Sequence, residues 1–570
     1  MRWKSKTLAI CCVFTLLFTL FVPCNEIVQA ASARPEKSTV GMVMTTQKVA
    51  NNIGMQVLKD GGNAIDAAVA VGYALAVVHP VAGNIGGGGF AVIHMATGEN
   101  VTLDFREMAP GKATRDMYLD KNGKVIPNAS VEGYLAAGVP GTVAGMSALL
   151  NRYGSKNLSL STLMQPAISY AENGFTVTAR QSETFKEYTP RLSKFASSRQ
   201  YFLKPDGSIY KEGELLVQKD LAKTLRLIAQ QGPDAFYKGQ IAELIAKDME
   251  ANGGIITKED LAKYKPIWRE PVKGTYRDYD IISMAPPSSG GTHIVQILNV
   301  LEGFDLKSLG YGSSQTVHFL AEAMRYAYAD RSEFMGDPDF VKVPVKGLTS
   351  KSYAETIRNK IDPAKATSSN EVRPGQPALH EGTNTTHFSI VDKWGNAVAI
   401  TYTINDYYGC GAAVNGAGFL LNNEMDDFSI KPGVPNIYGL VGGDANAVEP
   451  YKRPLSSMSP TLILKDGKLF LVVGSPGGSR IITTVLQVIS NVIDHDMNIR
   501  EAVDAPRIHM QWLPDELRIE KNGLAQDVVE KLTAMGYKVV VRGTMGDVNA
   551  ILVDPVSGIM YGSGDPRNEF

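Results

Sequence analysis

The amino-acid sequence predicts an α+β fold in which layers of helices cover antiparallel sheets. Apolar residues at helical spacing recur through the first part of the chain and return near its end, in residues 480–493. After residue 385, short strand-like runs come in pairs joined by turns that contain glycine. Because helices and sheets must each bury an apolar surface, we expect the helices to pack on the sheets. The 570 residues allow a large core and at least two structural units.

The N-terminus has the features of a secretory signal peptide. Basic residues, a short apolar run and small residues that suit cleavage follow one another: Arg2, Lys4 and Lys6, then residues 8–22, then 28–30 or 31–33. An uncleaved membrane anchor is the alternative, but the apolar run is short for a bilayer. We therefore expect residues 1–30 to be removed, with cleavage as late as residue 33. The mature protein is then secreted (extracellular or periplasmic) and not bound to a membrane.

The first part of the chain contains helix and strand patterns separated by glycines. Two helices and two strands are predicted, at residues 47–59 and 64–78 and at residues 90–95 and 101–106. Gly61-Gly62 ends the first helix. The glycine-rich loop 83–89 matches neither the P-loop spacing nor G-x-G-x-x-G. We interpret it as tight turns beside a buried sheet.

The rest of the chain changes character twice. Residues 137–359 are mostly helical in pattern, with charged faces in 218–231 and 240–252. Residues 366–384 are polar, rich in helix breakers and without periodicity, which predicts a flexible surface segment. The elements predicted after this segment are strands at 385–392 and 397–404, a hairpin of 461–464 and 469–473 around Asp466-Gly467, and a helix at 480–493.

Composition excludes several classes of function. The net charge is −1 and 20% of residues are charged, so nothing indicates a nucleic-acid or membrane-surface partner. The eight histidines are scattered, without H-E-x-x-H or a Cys/His cluster, and the serine-hydrolase pattern G-x-S-x-G is absent. We therefore expect no metal and no other cofactor.

The cysteines predict a protein without an internal disulfide. Cys11, Cys12 and Cys24 leave with the signal peptide, so only Cys410 remains. No nearby feature would clearly lower the pKa of its thiol, so we interpret Cys410 as an incidental thiol and not a nucleophile.

The sharpest motif is Asn384-Thr385, at the border between the flexible segment and a strand. A hydroxyl is a poor nucleophile until a base takes its proton. A threonine that becomes the start of a chain carries its own base, because its freed α-amino group has a pKa near neutrality. Cleavage after Asn384 would divide the chain into residues 31–384 and 385–570, with Thr385 as the nucleophile of the shorter part.

The turn after this strand predicts the partner of Thr385. A three-residue loop with Gly395 in the left-handed conformation pairs Asp392 with Asn396, and counting outward then places Thr385 opposite Thr403. A two-residue loop would instead place Thr386 opposite Thr403. On spacing alone, two ordinary strand threonines remain the simpler interpretation.

Four motifs resemble the bacterial γ-glutamyltranspeptidases in order and spacing, and the likeness extends over the mature chain. They are Thr385-Thr386-His387-Phe388-Ser389, Leu421-Asn422-Asn423-Glu424-Met425-Asp426-Asp427-Phe428, Arg453-Pro454-Leu455-Ser456-Ser457-Met458-Ser459-Pro460 and Gly474-Ser475-Pro476-Gly477-Gly478-Ser479-Arg480. The first half adds Phe105-Arg106-Glu107-Met108-Ala109-Pro110. The resemblance implies an N-terminal-nucleophile hydrolase with a four-layer αββα core, made as a precursor that cleaves itself into a large and a small subunit.

The resemblance also implies a pocket for the γ-glutamyl group. A guanidinium and hydroxyl donors suit its α-carboxylate, and carboxylates with an amide oxygen suit its α-ammonium. The residues implied to bind the α-carboxylate are Arg106, Ser456 and Ser457. The residues implied to bind the α-ammonium are Glu424, Asp427 and Asn405. Without the resemblance, a solvated surface or a structural salt bridge would be the better interpretation of Arg106 and Asp426-Asp427.

Two further features complete the implied site. Gly477 and Gly478 lie between a strand and a helix start, where free N–H groups and the helix dipole can hold an oxyanion. Without the resemblance, a simple turn would be the better interpretation of these two glycines. Residues 429–447 resemble a lid loop in which Tyr438 gates the pocket, although a plain surface loop is the alternative.

The expected activity is cleavage of γ-glutamyl amides such as glutathione through an ester on Thr385. The acyl group then passes to water, an amino acid or a dipeptide. A poly-γ-glutamate depolymerase and a cephalosporin acylase are alternatives with the same fold. A secreted binding protein without catalytic activity is the alternative from another class.

Overall fold

A computed structural model describes residues 34–372 and 385–567. The predicted signal peptide, Asn384 and residues 373–384 of the predicted flexible segment lie outside these ranges. Of that segment the structure describes residues 366–372, where Ser369 Oγ donates a hydrogen bond to the Trp512 carbonyl at 2.6 Å.

Two antiparallel sheets form the centre of the fold. The six-stranded sheet has the order β2-β10-β11-β3-β4-β7 and the seven-stranded sheet the order β1-β18-β17-β13-β12-β9-β8. The strands of both sheets are β1 Glu36–Ser38, β2 Gly41–Thr45, β3 Gly88–His94, β4 Asn100–Phe105, β7 Ile267–Arg269, β8 Val272–Tyr276, β9 Tyr279–Ser283, β10 Thr386–Asp392, β11 Ala397–Thr403, β12 Thr461–Lys465, β13 Lys468–Val473, β17 Asn549–Val553 and β18 Met560–Gly564. Smaller sheets are formed by β5 Phe175–Thr176 with β6 Leu215–Leu216, and by β14 Ile508–His509, β15 Leu517–Glu520 and β16 Val539–Arg542.

Helices surround these sheets. In chain order the helices within the described ranges are α1 Lys48–Lys59, α2 Ala64–Val78, α3 Thr142–Tyr153, α4 Leu160–Asn173, α5 Ala179–Leu192, α6 Ala196–Phe202, α7 Lys219–Gln231, α8 Asp234–Tyr237, α9 Gln240–Ala251, α10 Lys258–Lys263, α11 Gly290–Leu301, α12 Leu306–Leu309, α13 Ser314–Phe334, α14 Val345–Leu348, α15 Lys351–Arg358, α16 Ile481–Ile493, α17 Ile499–Asp504 and α18 Gln526–Ala534. Across residues 34–372 and 385–567, every helix is too short or too polar to cross a bilayer.

The side chains of β3 separate two hydrophobic cores. Successive side chains of a strand point to opposite faces, so a strand buried on both faces contributes to two cores. Ala91 and Ile93 belong to the core that contains α2, whereas Phe90 and Val92 belong to the core shared with the seven-stranded sheet, α11 and α16. The layers are thus helix, sheet, sheet and helix, and the predicted four-layer αββα fold is confirmed.

Helix α2 shows why the outer layer is fixed in place. All its residues are buried, and its sequence is apolar around the whole circumference, as expected for a helix covered on every side. Asn63 caps its N-terminus, where the Asn63 side chain accepts from the Asp66 N–H and the Asp66 side chain accepts from the Asn63 N–H. The predicted bounds of this helix are confirmed.

Both sheets combine strands from before and after residue 385. The six-stranded sheet takes β10 and β11 from the later part and its other strands from the earlier part, and the seven-stranded sheet mixes the two parts in the same way. The two parts of the chain therefore share one fold.

The region predicted as mostly helical also contains strands that the sequence prediction missed. Strands β7, β8 and β9 lie within residues 267–283 and extend both sheets at an edge. They are short, and in β8 Gly274 occupies the position where the alternation would place an apolar residue.

Candidate active site

Thr385 lies immediately before β10 and is 7% exposed. Its Oγ1 donates a hydrogen bond to Thr403 Oγ1 at 3.4 Å, and Thr403 Oγ1 accepts from the Asn405 N–H at 2.8 Å. The two hydroxyls meet because the strand register is that of the three-residue loop, in which Thr386 pairs with Tyr402. The predicted position of Thr403 opposite Thr385 is confirmed.

The hairpin turn fixes this register. The Asp392 N–H donates to the Asn396 carbonyl at 3.0 Å, and Gly395 has a φ of 92°, in the left-handed region. The Asp392 carboxylate accepts from the N–H groups of Trp394 and Asn396, and also from that of Ala64 at the start of α2. The turn is therefore anchored to the outer helix layer.

The residues implied as substrate ligands line one cavity with Thr385. The predicted site residues in its wall come from the first half of the chain, from the loops after β11 and from the segment before β12. The predicted site residues along it are Arg106, Thr385, Thr403, Asn405, Glu424, Asp427, Tyr438, Ser456, Ser457 and Gly478. Residues more than 300 positions apart in the chain thus meet beside one hydroxyl group.

Arg106 is buried among the carboxylate side chains on one side of the cavity. Its Nη1 pairs with Glu424, its Nη2 lies 2.5 Å from Asp427 Oδ2, and its Nη1 lies 3.6 Å from Glu107 Oε2. Burial opposes the positive charge, but these carboxylates outweigh it and hold the pKa of Arg106 above its ordinary value. The guanidinium also donates to the carbonyl groups of Pro454 and Leu455, each at 3.2 Å.

The carboxylates of this wall are held in an environment that favours their neutral forms. Burial raises the pKa of Glu424 well above its usual range and that of Glu107 to about 7, although Arg106 acts in the opposite direction on both. Burial likewise raises the pKa of Asp427. Three carboxyl groups face one guanidinium, so this end of the cavity has an excess of negative charge when they are ionised. A cationic group would stabilise them.

Tyr438, in the predicted lid, lines the cavity. Its hydroxyl donates to Asn405 Oδ1, and its ring packs so closely over Gly478 that a Cβ there would approach the ring to 2.5 Å. The loop is held by Asn436, whose Nδ2 donates to Asp427 Oδ1 at 3.0 Å, and by the Ile437 N–H, which donates to Asp426. Residues 429–447 are thus attached to the same short helix that carries the carboxylates.

Ser456 and Ser457 also line the cavity. Ser456 forms an isolated bridge to Ser288, and its carbonyl accepts from the Ser289 N–H at 2.8 Å. Ser457 Oγ accepts a hydrogen bond from Arg331 Nη2 at 3.0 Å. Ser456 is therefore held by the segment that precedes α11, and Ser457 by Arg331 of α13.

Gly477 and Gly478 adopt backbone conformations that favour glycine, with φ of 141° and 56°. They begin the 3₁₀ turn Gly478–Arg480 that leads into α16. Within the part of the chain that the structure describes, neither N–H donates a hydrogen bond. Free N–H groups beside a nucleophile are the geometry that an oxyanion requires.

A second cleft also reaches Thr385. Gly477 lines this cleft, whereas Gly478 lines the first cavity, so Thr385 lies where the two meet. The cleft is open to solvent and is lined by the polar and charged side chains of Gln47, Thr178, Arg180, Gln181, Tyr407, Thr544 and Asp547, among others.

Sequence reasoning missed two charged residues: Arg331, which lines the cavity, and Glu107, which lies 3.6 Å from Arg106. Glu107 follows Arg106 in a quoted motif, but its buried position became evident only in the structure. Arg331 belongs to α13, in a sequence that reads as an ordinary charged helix. The signal that identifies both is burial, which a single sequence does not reveal.

The remaining predictions concern Cys410 and metal binding. Cys410 is a free, buried thiol, and burial raises its pKa to about 12. Over the described ranges, no group of three or more His, Cys, Asp or Glu side chains has the arrangement needed to hold a metal ion.

The sequence matches the family model described as gamma-glutamyltranspeptidase over residues 50–569. The chain is 56% identical to the glutathione hydrolase proenzyme of Escherichia coli strain K12 over 535 residues, which cover 94% of this chain and 91% of that protein.

Two solved structures extend the comparison. The cephalosporin acylase of Bacillus halodurans superposes with a TM-score of 0.82 at 28% identity, covering 96% of this chain and 98% of the other. The Helicobacter pylori gamma-glutamyltranspeptidase has a TM-score of 0.59 at 60% identity, covering 61% of this chain and 99% of that one. The fold is therefore that of known proteins.

Proposed function

Because the chain belongs to the γ-glutamyltranspeptidase family, we propose that it matures by cleavage after Asn384 and then uses Thr385 to cleave γ-glutamyl amides, glutathione among them. The acyl group passes to water or to the amine of an amino acid or dipeptide. The observation that carries the proposal is the position of Thr385, whose hydroxyl contacts Thr403 at the junction of a charged cavity and an open cleft.

Maturation is a reaction within the chain. The Thr385 hydroxyl attacks the carbonyl carbon of Asn384, and the peptide C–N bond breaks as the nitrogen takes a proton. The resulting ester is hydrolysed by water, which leaves a carboxylate on Asn384 and a free amine on Thr385. The two products are the large subunit (31–384) and the small subunit (385–570). They remain together because both sheets combine strands of each.

Turnover uses the new amine as the base. The Thr385 amine takes the hydroxyl proton while Oγ1 attacks the γ-carbonyl carbon of the substrate, and the proton then goes to the leaving nitrogen. Gly477 and Gly478 supply N–H donors for the oxyanion. Thr403 Oγ1 lies beside Thr385 and is suited to orient the amine.

The charged cavity suits the amino-acid end of a γ-glutamyl group. The excess of carboxylates at Glu424 and Asp427, with Asn405 Oδ1, fits the α-ammonium, and the hydroxyl groups of Ser456 and Ser457 beside Arg106 fit the α-carboxylate. Tyr438 lies beside this end, where its hydroxyl contacts Asn405. The open cleft on the other side of Thr385 leaves room for the departing amine and for the incoming water or acceptor.

A cephalosporin acylase activity is the second candidate, since the Bacillus halodurans enzyme of that name shares the fold. A glutaryl group has a carboxylate but no ammonium, so Glu424 and Asp427 would gain no cation beyond Arg106, which they already share. This charge pattern favours γ-glutamyl over glutaryl donors. A poly-γ-glutamate depolymerase would need the cavity open to a polymer, which the position of Tyr438 disfavours.

The protein acts outside the cytoplasm in this proposal, as a secreted or periplasmic enzyme. The support is the charge, apolar run and small residues of the N-terminus. Mass measurement of the secreted protein tests this together with maturation.

The decisive experiment compares the intact masses of the wild type, Thr385→Ala and Thr386→Ala. We expect two chains for the wild type, with the shorter one beginning at Thr385, and a single chain for Thr385→Ala, which has lost the nucleophile. Thr386→Ala is the matched control because it removes a neighbouring buried hydroxyl, which contacts Thr46 Oγ1 at 3.2 Å and not Thr403. We expect that variant to mature. A Thr385→Ala protein that still separates into two chains would contradict the proposal.

A further inference from the structure

Gln511 is a buried side chain between the predicted lid and the 3₁₀ turn that begins at Gly478, which we call the oxyanion turn. It is 3% exposed. Its Nε2 donates to the carbonyl groups of Gly439 and Leu513, each at 3.2 Å, and to that of Tyr438 at 3.5 Å. Two of these three acceptors belong to the lid, so one end of the amide is attached to it.

The other end of the same amide faces the oxyanion turn. Gln511 Oε1 accepts from Ser479 Oγ and from His509 Nε2, each at 2.8 Å. Ser479 directly follows Gly478 in the turn. The partners fix the orientation of the amide, because carbonyl oxygens can only accept whereas a hydroxyl and a protonated ring nitrogen can donate.

The part of the lid that Gln511 contacts is a compact turn, residues 436–440, which we call the lid tip. Asn436 closes this turn. Its carbonyl accepts from the Gly439 N–H at 2.9 Å, and its Oδ1 accepts from the Tyr438 N–H at 3.0 Å. Because these bonds lie within the lid tip, a contact to its carbonyl groups also acts on the position of the Tyr438 ring.

The lid tip and the oxyanion turn also touch each other beside Thr385. The Tyr438 ring lies so close to Gly478 that an added Cβ would approach it to 2.5 Å, and the Tyr438 hydroxyl contacts Asn405. Tyr438 and Gly478 both line the charged cavity with Thr385. The amide of Gln511 therefore connects the backbones of two segments whose other sides form the wall of the cavity.

Burial makes this connection a strong constraint. Hydrogen bonds within a buried network are stronger than those exposed to water, and a buried polar group that loses its partner costs free energy. Moving the lid tip away from the oxyanion turn must break the bond from Gln511 Nε2 to the Gly439 carbonyl.

We propose that Gln511 is a positioning residue for the reaction. Its amide joins the lid tip to the oxyanion turn, so that Tyr438 and Gly478 keep one relative position beside Thr385. Gln511 acts through these two residues and not by contact with the substrate. This inference deepens the proposed γ-glutamyl activity and rests on it.

The test compares Gln511→Met with Gln487→Met, each as the matured two-chain enzyme verified by intact mass. Both changes replace a buried glutamine by a side chain of similar length without a strong donor or acceptor. Gln487 is the matched control because it is 6% exposed and its Nε2 donates to the carbonyl groups of Thr483 and Ile508, at 2.7 and 2.8 Å, and not to the lid. The measurements are hydrogen–deuterium exchange of peptides from residues 429–447, thermal unfolding, and kcat and KM for γ-glutamyl-p-nitroanilide.

Gln511→Met should speed exchange of the lid peptides by roughly 5- to 10-fold, as expected for the loss of hydrogen bonds that hold the lid tip. It should lower kcat/KM by a similar factor, because the positions of Tyr438 and Gly478 are no longer set together. Gln487→Met should lower the Tm to a similar extent but change lid exchange and kcat/KM by less than about 2-fold. Ser479→Ala, which removes only the bond at the oxyanion turn, should speed lid exchange by a smaller factor.

Unchanged lid exchange in Gln511→Met, or equal acceleration in the two glutamine variants, would overturn the proposal, because Gln511 would then act only through overall stability. If Gln511→Met yields no two-chain enzyme, Ser479→Ala decides, and lid exchange equal to that of the wild type would reject the proposal. Lid exchange is measured without substrate. A wild type that fails to cleave the γ-glutamyl compound would therefore contradict the proposed function and not the contact between the lid tip and the oxyanion turn.

Discussion

Two hairpins, one in each sheet, hold the candidate active site at their open ends. β10 and β11 are interior strands of the six-stranded sheet, and β12 and β13 are interior strands of the seven-stranded sheet. Thr385 precedes the first hairpin and Thr403 ends it, while Ser457 precedes the second and Gly478 follows it. All four residues line the same cavity.

The two hairpins differ in what determines the positions of the site residues at their ends. The first keeps one register along its whole length, whereas the second has an irregularity between Ile463 and Leu464. Its turn is a two-residue loop in which Asp466 and Gly467 both have positive φ. In the first hairpin, a turn about ten residues away therefore determines which hydroxyl faces Thr385. In the second, Ser457 and Gly478 lie in loops whose positions depend on tertiary contacts.

The largest expected effect comes from removing the hydroxyl that the first hairpin places beside Thr385. Thr403→Val keeps the shape of the side chain but removes the acceptor of the Thr385 hydroxyl and of the Asn405 N–H. We expect maturation and kcat to fall by roughly 100-fold, within the range of a lost acid–base or orienting group. Intact mass against time and single-turnover kinetics measure the two effects.

The control is Thr401→Val, on the same strand and the same face. Thr401 Oγ1 contacts His387 Nδ1 at 2.8 Å and does not contact Thr385. We expect it to lower stability and to leave the cleavage chemistry nearly intact. A similar loss of maturation rate and kcat in both variants would mean that the strand threonines act through packing alone.

The contrast between the two hairpins also explains which features could be predicted from the sequence. The register of β10 and β11, the left-handed Gly395 and the meeting of Thr385 with Thr403 follow from turn geometry and from a side-chain period of two. The helix Ala64–Val78 and the hairpin around Asp466-Gly467 were likewise predicted from local patterns. These features depend on residues that are close together in the chain.

The charged cavity depends on residues that are far apart in the chain. Arg106 and Glu424 are separated by 318 positions, and in the sequence only the resemblance to a known family indicates that they share a site. Arg331 was missed because a helical arginine is most often solvated, and nothing local indicates that it is buried beside Ser457. A single sequence carries little information about such long-range burial.

The second prediction concerns the base that acts on the Thr385 hydroxyl. If it is the α-amino group, kcat/KM falls about tenfold for each pH unit below its pKa, which is near 7.7–8.0 when unperturbed. The amine must be unprotonated to accept a proton, so the rate rises with pH through this value. His79 lines the open cleft beside Thr385, but burial lowers its pKa to about 4, so it stays neutral across this range.

His79→Gln is the variant that separates the two bases. Its pH profile should keep the same apparent pKa as the wild type, whatever happens to the rate. An apparent pKa that moves or disappears in this variant would assign the titrating group to the histidine and not to the amine of the first hairpin.

The smallest expected effect compares the two turns directly, with Gly395→Ala and Gly467→Ala. Both glycines have positive φ, of 92° and 74°, and a Cβ added at either one meets no atom within 4 Å. The cost of each substitution is therefore backbone strain alone, about 1 kcal/mol, and thermal unfolding should show similar losses for the two variants.

The rate of maturation should differ between the two variants. Strain at Gly395 favours another loop and hence another register, in which Thr403 no longer faces Thr385, so this variant should mature more slowly. The irregularity at Ile463 and Leu464 lies between Gly467 and the site, so Gly467→Ala should mature at the wild-type rate. Equal maturation rates in the two variants would show that tertiary packing, and not the turn, sets the position of the nucleophile.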